Sequence, residues 1–423
     1  MKKIYILGGG TFSDVRTHQS LCARAFGETA IKLENMFKKQ LADLKLDDQY
    51  EVELILTRMA QPHNNKYNII TNDDAGKIID KLIEDQDTKV IVQNFALCDF
   101  HGQIGDIPSG KHATRLRTSE GDVMMKMTPA DKVIKKIREK RKDIFAIGFK
   151  TTDNQTEMVQ YNRGLNLLKV NSLNLVLAND VVNHRNMIIV PEEAKYCVTT
   201  QRDDALNELV KITLSRMLNH FTRSTVVEGK AIDWNSKEVP NNLREVVNHC
   251  IKNGAYKEFL GKTAGHFAVK VNDGEILTSI RKTNFNNLDK VGLVKVESKN
   301  KDEVIAHGFR PSVGGQSQRI IFNEHKDLDC IVHFHCPMKE SNISKYIPVK
   351  EQWRNECGSH ECGQNTSDGL KEFNLGDGDK LNVVYLDEHG PNIVFNRKTD
   401  SKKVIDFINS NFDLTQKTGG LFQ

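Results

Sequence analysis

Two histidines, two positions apart, close an apolar run: Cys330-Ile331-Val332-His333-Phe334-His335-Cys336-Pro337. Leu328, Cys330, Ile331 and Val332 read as a buried strand. Side chains two apart on a strand share a face, so His333 and His335 project together at its C-terminal end. Paired imidazoles suit a first-row divalent metal, zinc above all. The plain alternative is a pair of hydrogen-bonded core histidines. A third imidazole is at hand, because the apolar strand Val383-Val384-Tyr385-Leu386 runs into Asp387-Glu388-His389-Gly390. Three imidazoles and one open position are what catalytic zinc requires.

The order Gly265-His266-Phe267, Pro311-Ser312, His333-Phe334-His335 and Glu388-His389-Gly390 spans about residues 235–415. It resembles the class II aldolase/adducin family. The resemblance implies an α/β/α domain in which His333, His335 and His389 hold Zn2+, which polarises a substrate carbonyl and stabilises an enediolate. Members usually carry a glutamate after the Pro-Ser region. This chain reads Ser312-Val313-Gly314-Gly315-Gln316-Ser317-Gln318-Arg319, with no carboxylate. Gln318 stands there as the candidate catalytic side chain, and a glutamine hydrogen-bonds but does not accept a proton at neutral pH.

The 423 residues allow two or three domains. Hydrophobic content of 38% and charged content of 27% suit a soluble globular chain. A net charge of +4 argues against strong attraction to nucleic acid or an anionic membrane, so the expected partners are small molecules. No apolar run reaches the ~18 residues of a membrane span. Met1-Lys2-Lys3 leads straight into Ile4-Tyr5-Ile6-Leu7-Gly8, too short for a signal peptide and better read as a first strand. Eight scattered cysteines favour a reducing cytoplasm.

In the first half, strands and helices alternate. Strand Lys3–Leu7 meets Gly8-Gly9-Gly10-Thr11, which reads either as a backbone approach to phosphate at a helix start or as a tight strand-to-helix turn. Helical spacing follows over Ala30–Leu44, then strand Val52–Thr57 and helix Asn72–Glu84 with Asn72 as its cap. Strand Lys89–Phe95 has Asp99 just beyond it. Helix Pro129–Glu139, strand Ile144–Phe149, helix Met158–Leu168 and strand Leu173–Ala178, ending in Asn179-Asp180, complete the pattern. This is a doubly wound, Rossmann-like parallel sheet, whose strand C-termini mark the ligand crevice.

Those strand ends carry a second resemblance. Gly9-Gly10-Thr11 with Asp14-Val15-Arg16, Ala96-Leu97-Cys98-Asp99-Phe100, Leu116–Met127 with Pro129 and Asp131, Gly148-Phe149, and Leu173-Asn174-Leu175-Val176-Leu177-Ala178-Asn179-Asp180-Val181 span about residues 1–225. Their order resembles the phosphopantothenate–cysteine ligase family, which transfers CMP from CTP to the carboxylate of 4'-phosphopantothenate and then displaces it with the amine of cysteine. The resemblance implies a CTP pocket lined by Asn94, Phe95, Asp99, Pro129 and Phe149, joined by Gly9, Gly10, Arg115, Asn179 and Asp180, with Mg2+ on the triphosphate. It sets Lys169 on phosphate, and Ser20 near the position of the asparagine that processes the acyl-nucleotide. Arg115-Leu116-Arg117-Thr118 replaces a Lys-Ile-Lys-Lys run, and arginine keeps the charge while favouring bidentate phosphate contacts.

Helix Arg202–Asn219 is expected to finish a first domain of residues 1–225. The strand-like segment Thr222–Asp233 leads into a linker at 226–240, polar and proline-containing over Trp234–Pro240. Helix Asn241–Lys252 then opens a second domain of 241–423, and Asn272-Asp273-Gly274 marks a hairpin between Ala264–Val271 and Glu275–Ser279. Cys357-Gly358-Ser359-His360-Glu361-Cys362 packs two thiols and an imidazole together. It reads as a separate metal or redox site, as a loop reaching the zinc site through His360 or Glu361, or as a reduced surface loop. The combined expectation is a two-domain enzyme, ligase-like and zinc-lyase-like, assembled by family habit as a dimer or tetramer. One alternative is a nucleotide- or phosphopantetheine-binding domain without ligation, fused to a zinc dehydratase or epimerase. The other is a non-catalytic, adducin-like assembly protein.

Overall fold

The computed structural model describes residues 1–61, 63 and 66–418. It divides into two compact units: Met1–Val190 with Cys197–Met217, and Pro191–Tyr196 with Leu218–Gln423. The second unit thus includes a six-residue piece from the first half of the chain. Residues 226–240 do not behave as a bare linker. Strand Arg223–Val227 pairs in parallel with Glu303–His307. Trp234 is buried with its ring 5.5 Å from Phe267, and its Nε1 donates to Asn248 Oδ1 at 3.1 Å.

In the first unit five parallel strands lie side by side in the order Tyr50–Leu56, Lys2–Gly10, Thr88–Ala96, Phe145–Thr152 and Leu175–Asp180. Asn186–Ile189 adds antiparallel to the last. Ile4, Ile6, Leu7, Val90, Ile91, Val92, Ile147 and Leu177 are fully buried, the near-continuous apolar run expected of strands covered on both faces. Chain order reverses between Lys2–Gly10 and Thr88–Ala96. In such sheets the crevice beyond that reversal is where ligands bind.

The local detail beyond these strand ends differs from the sequence expectation. The first strand runs through Gly10, and a β-hairpin of Phe12–Arg16 and Gln19–Cys22 intervenes before the helix Glu28–Asp43. No helix N-terminus therefore follows the glycines directly. Pro129 ends a strand, pairing with Phe100 in a second hairpin of Phe100–Ile104 and Met125–Pro129, and the helix expected from Pro129 is reduced to Lys135–Lys140. Thr71, not Asn72, caps the helix Asn72–Glu84, through a capping box with Asp74. Asn72 turns inward instead: it accepts from Thr11 Oγ1 at 2.7 Å and donates to the Cys98 carbonyl at 2.8 Å, clamping the floor of the crevice.

The second unit is a mainly antiparallel ten-stranded sheet covered by helices on both faces. Alternation along its strands sorts the core. Phe267, Val269, Cys330, Val332, Ile393 and Phe395 face the helices Asn241–Lys252 and Ser401–Asn411. Ala268, Ile331 and Val394 face Ile321 and Phe322 of the helix Gly315–Glu324. The hairpin around Asp273-Gly274 and the helix Asn241–Lys252 fall where the sequence places them. The layers are α/β/α.

Candidate functional site

The alternation that buries Val332 on one face puts His333 on the other. Register then sets His266 opposite His333, and His333 opposite Asn392, so the three side chains form a row across adjacent strands. All three are buried. The rings of His266 and His333 lie 4.7 Å apart. Glycines permit the closeness. A Cβ on Gly265, at φ +112°, would sit 2.7 Å from the His333 carbonyl oxygen; one on Gly314 would strike the His266 ring; one on Gly390 would strike the Phe334 carbonyl oxygen.

His389 comes from the turn between strands Asp379–Leu386 and Gly390–Phe395. Its Nε2 lies 3.3 Å from Nε2 of His333. The His335 ring is 5.0 Å from that of His333 and 4.7 Å from that of His389. One donor nitrogen from each residue falls within 4.8 Å of the others. His333 Nδ1 lies 2.8 Å from the Pro391 carbonyl oxygen. A carbonyl only accepts, so the ring proton sits on Nδ1 and the Nε2 lone pair is left for a ligand. Two nitrogens at the ~2.0–2.1 Å zinc distance and a tetrahedral angle stand about 3.3 Å apart. Burial pushes His333 down to about 4, partly offset by the Pro391 bond, so the ring is neutral and ready to bind metal. The donor set and its spacing fit Zn2+.

Gln318 Nε2 donates to His266 Nδ1 at 2.9 Å, which leaves the His266 proton on Nε2. Burial, then the nearby His333, holds His266 well below its ordinary value. Gln318 is fully buried and its Oε1 has no hydrogen-bond partner among the described residues. Buried acceptors rarely stay unpaired, so this oxygen marks a place for a ligand donor. Thr418 ties two of the histidines by their backbones: it donates its amide to the His335 carbonyl at 3.1 Å and its Oγ1 to the His389 carbonyl at 2.8 Å. Next to it, Lys417 forms a buried ion pair with Glu193. The sequence reading missed Glu193 and Lys417, partners 224 residues apart with no local signature. His266 stands in the Gly265-His266-Phe267 motif, whose sequence alone assigns it no role.

In the first unit, the structure gathers some of the expected residues and separates others. Asn179 and Asp180 line a cavity of about 300 Å³ with His184, Asn186, Thr200 and Arg202. The Arg202 guanidinium lies 5.9 Å from the centre of the Phe149 ring. Gly9 and Gly10 pair with Phe95 and Ala96 at the neighbouring strand end, and Asn94 pairs with Gly8. Side chains at Gly9 and Gly10 would strike Thr57 and the Ala23 carbonyl, and the Gly10 amide donates to Ala25 at 2.8 Å. The protein's own packing therefore requires these glycines, and the Gly10 amide is not offered to a phosphate. Ser20, exposed on the first hairpin, donates to Asp14 at 2.8 Å. Arg115 and Pro129 are exposed, and Asp99 is an exposed partner of Lys132. Lys169 is not brought to the crevice. It lies in the last turn of the helix Glu157–Asn171, about 18 Å along the axis from the strand C-terminal edge at 1.5 Å per residue.

Asp180 is buried and saturated. Its carboxylate accepts from the amides of Asn154, Gln155, Val182 and Asn183 and from Thr152 Oγ1, at 2.9–3.2 Å. Five donors occupy its lone pairs, so the carboxylate is committed to these loops and has no lone pair over for a metal ion. Burial pushes its carboxyl up, but the amides of Gln155 and Asn183 and the Thr152 hydroxyl outweigh it and hold the group well below the usual range. A depressed folded pKa gives stability that is fully present above the unfolded value of about 3.9 and is lost as pH falls toward the folded one. Asp180→Asn keeps the shape but turns one acceptor into a donor. Amide exchange at Asn154, Gln155, Val182 and Asn183 is expected to speed up at neutral pH; unchanged exchange there would show that the carboxylate does not hold these loops.

No protein-family model matches the sequence. In sequence the chain is similar to the coenzyme A biosynthesis bifunctional protein CoaBC of Methanocaldococcus jannaschii, 26% identical over 185 residues, 43% of this chain and 41% of that protein. The chain thus spans about two fifths of that relative's length. Among solved structures, the DNA/pantothenate metabolism flavoprotein of Streptococcus pneumoniae covers 51% of this chain and 96% of its own at 19% identity, with a TM-score of 0.39. L-fuculose 1-phosphate aldolase covers 40% and 81% at 13% identity, with a TM-score of 0.28. Among the described residues, no helix is long and apolar enough to cross a membrane.

Proposed function

We propose that the second unit is a zinc-dependent lyase of the class II aldolase kind, acting on a small phosphorylated carbonyl compound, and that the first is a ligase-type domain that uses CTP to activate a carboxylate. The observation that carries the first part is the His333–His389 Nε2 pair, 3.3 Å apart, with the other His333 nitrogen committed to Pro391. When bound, the metal supplies Lewis-acid polarisation of a carbonyl oxygen. The chain's own groups do the rest. His333, His335 and His389 bind as imidazoles held by strand register and by the Gly390 turn. Gln318 Oε1 accepts a hydrogen bond from a substrate hydroxyl without taking its proton, and so orients rather than abstracts. Thr418 holds the backbone of both His335 and His389. Support for the first unit's part is the similarity to CoaBC and the gathering of Phe149, Asn179 and Arg202 at the strand ends.

Metal content of chain purified without added metal tests the zinc site. About one zinc per chain is expected, and almost none in a His333→Ala/His335→Ala double variant. Equal, negligible zinc in both would sink the lyase reading. CTP-dependent pyrophosphate release, measured in parallel with 4'-phosphopantothenate and cysteine, tests the ligase reading separately.

A further inference from the structure

His266 is buried beside the histidine cluster, and the chemistry proposed above gives it no part. Register sets it opposite His333 on the next strand, with the two rings 4.7 Å apart and tilted by 33°. The donor nitrogens that fall within 4.8 Å of one another come from His333, His335 and His389, not from His266. The space it fills belongs to another position. A Cβ on Gly314 would lie 2.1 Å from His266 Cδ2 and 2.4 Å from its Nε2. Gly314 has φ −65° and ψ −6°, which any L residue adopts, so the ring and not the backbone demands glycine there. The imidazole therefore stands where a side chain at 314 would project, in the segment 312–319 that carries no carboxylate. Its two nitrogens are in different states. Nδ1 accepts from Gln318 Nε2 at 2.9 Å, so the ring is neutral and its proton is on Nε2. That N–H makes no hydrogen bond among the described residues. Gln318 Oε1, one hydrogen bond away, is a buried acceptor without a partner. A free donor and a free acceptor side by side suit a ligand that accepts at one oxygen and donates from a hydroxyl.

We propose that His266 contacts the substrate of the second unit, its Nε2–H donating to the oxygen of a hydroxy-carbonyl compound on which negative charge develops, in the space that Gly314 leaves open. This rests on the lyase reading above. A neutral imidazole held in one tautomer donates without giving up its proton, so it stabilises an oxyanion forming beside it and no proton changes hands. Gln318 is then a positioning residue as well as an acceptor: its Nε2 fixes which His266 nitrogen carries the proton.

Two measurements on the full chain test this. Nitrogen NMR of histidine-labelled chain, with the His266 signals assigned by their loss in His266→Phe, should show Nε2 protonated and Nδ1 bare. A proton on Nδ1 instead would overturn the proposal. The second is calorimetric binding of acetohydroxamate, a small chelating oxyanion, to the zinc-loaded chain. His266→Phe keeps a flat ring beside Gly314 and removes the donor. Affinity should fall about 10–100-fold, the loss of one hydrogen bond to a charged group, while zinc per chain stays at the wild-type value. Gly314→Ala keeps both nitrogens but adds a methyl that overlaps the ring, so it should weaken acetohydroxamate too. Unchanged affinity in zinc-loaded His266→Phe, or in Gly314→Ala where the first variant fails to fold, would overturn the proposal. A wild-type chain that takes up no zinc sinks the lyase reading and this proposal with it, and the metal content of the same samples tells that failure from the other.

Discussion

Lys417→Met should destabilise the second unit by about 3–5 kcal/mol, the cost of breaking a buried ion pair by removing one partner. The Lys417 and Glu193 side chains are 1% and 5% exposed, so neither charge has water to fall back on. Methionine keeps the apolar stem and roughly the volume, which isolates loss of the ammonium from loss of packing. For a unit of this size the drop corresponds to about 6–20 °C in the calorimetric transition assigned to it. A Glu193→Gln/Lys417→Met double variant should recover part of the loss, because it removes the buried negative charge along with the positive one. Equal melting of single and double variants would show that charge is not what holds the two segments. Lys417 adjoins Thr418, whose two bonds reach the His335 and His389 backbones. Loosening this end is therefore also expected to speed zinc loss to a chelator.

This pair shows where the sequence stopped being informative. Helix Asn241–Lys252 and the hairpin at Asp273-Gly274 could be read from spacing because their causes are local: an apolar stripe, a turn that needs Gly. The face of His333 was local too, since alternation along its strand decides it, whereas His335 lies past the strand's end at His333 and comes within 5.0 Å of the His333 ring by the path of the loop that follows. The parallel sheet followed from alternating elements, but what lies beyond its strand ends did not. The hairpins at Phe12–Cys22 and Phe100–Pro129 are set by partners rather than by propensity. The buried Arg16 guanidinium, for example, ties the first hairpin to the carbonyls of Ile104 and Ile107. Lys169 was misplaced because a motif fixes order along the chain, while the helix carrying it runs away from the strand ends. The inclusion of Pro191–Tyr196 in the second unit depends on side chains hundreds of residues away, and no window of sequence contains that information.

Gly390→Ala joins backbone strain, packing and metal affinity in one substitution. Gly390 sits at φ +133°, a conformation that L residues rarely adopt, and an added Cβ would fall on the Phe334 carbonyl oxygen with His335 Cα 3.2 Å away. Strain of about 1–3 kcal/mol and overpacking of about 1–3 kcal/mol should add, since the backbone cannot relieve one without worsening the other. The relief available is a shift of the turn, and His389 is the residue next to it. A ring displaced from its bonding position should weaken zinc binding by about 10–100-fold, the usual penalty for disturbing what orients a ligand. Gly376→Ala supplies the control. It has φ +85° and nothing within 4 Å of the added Cβ, so it carries backbone strain alone and lies outside the histidine turn. Competition against a zinc-binding dye, run beside thermal unfolding, separates the two effects. If Gly390→Ala melts like Gly376→Ala and holds zinc as the wild type does, the close approach of the turn to Phe334 is not what positions His389. If it loses both stability and zinc while Gly376→Ala loses only a little stability, the glycine after the third histidine is there to let two strand ends meet closely enough to share one metal.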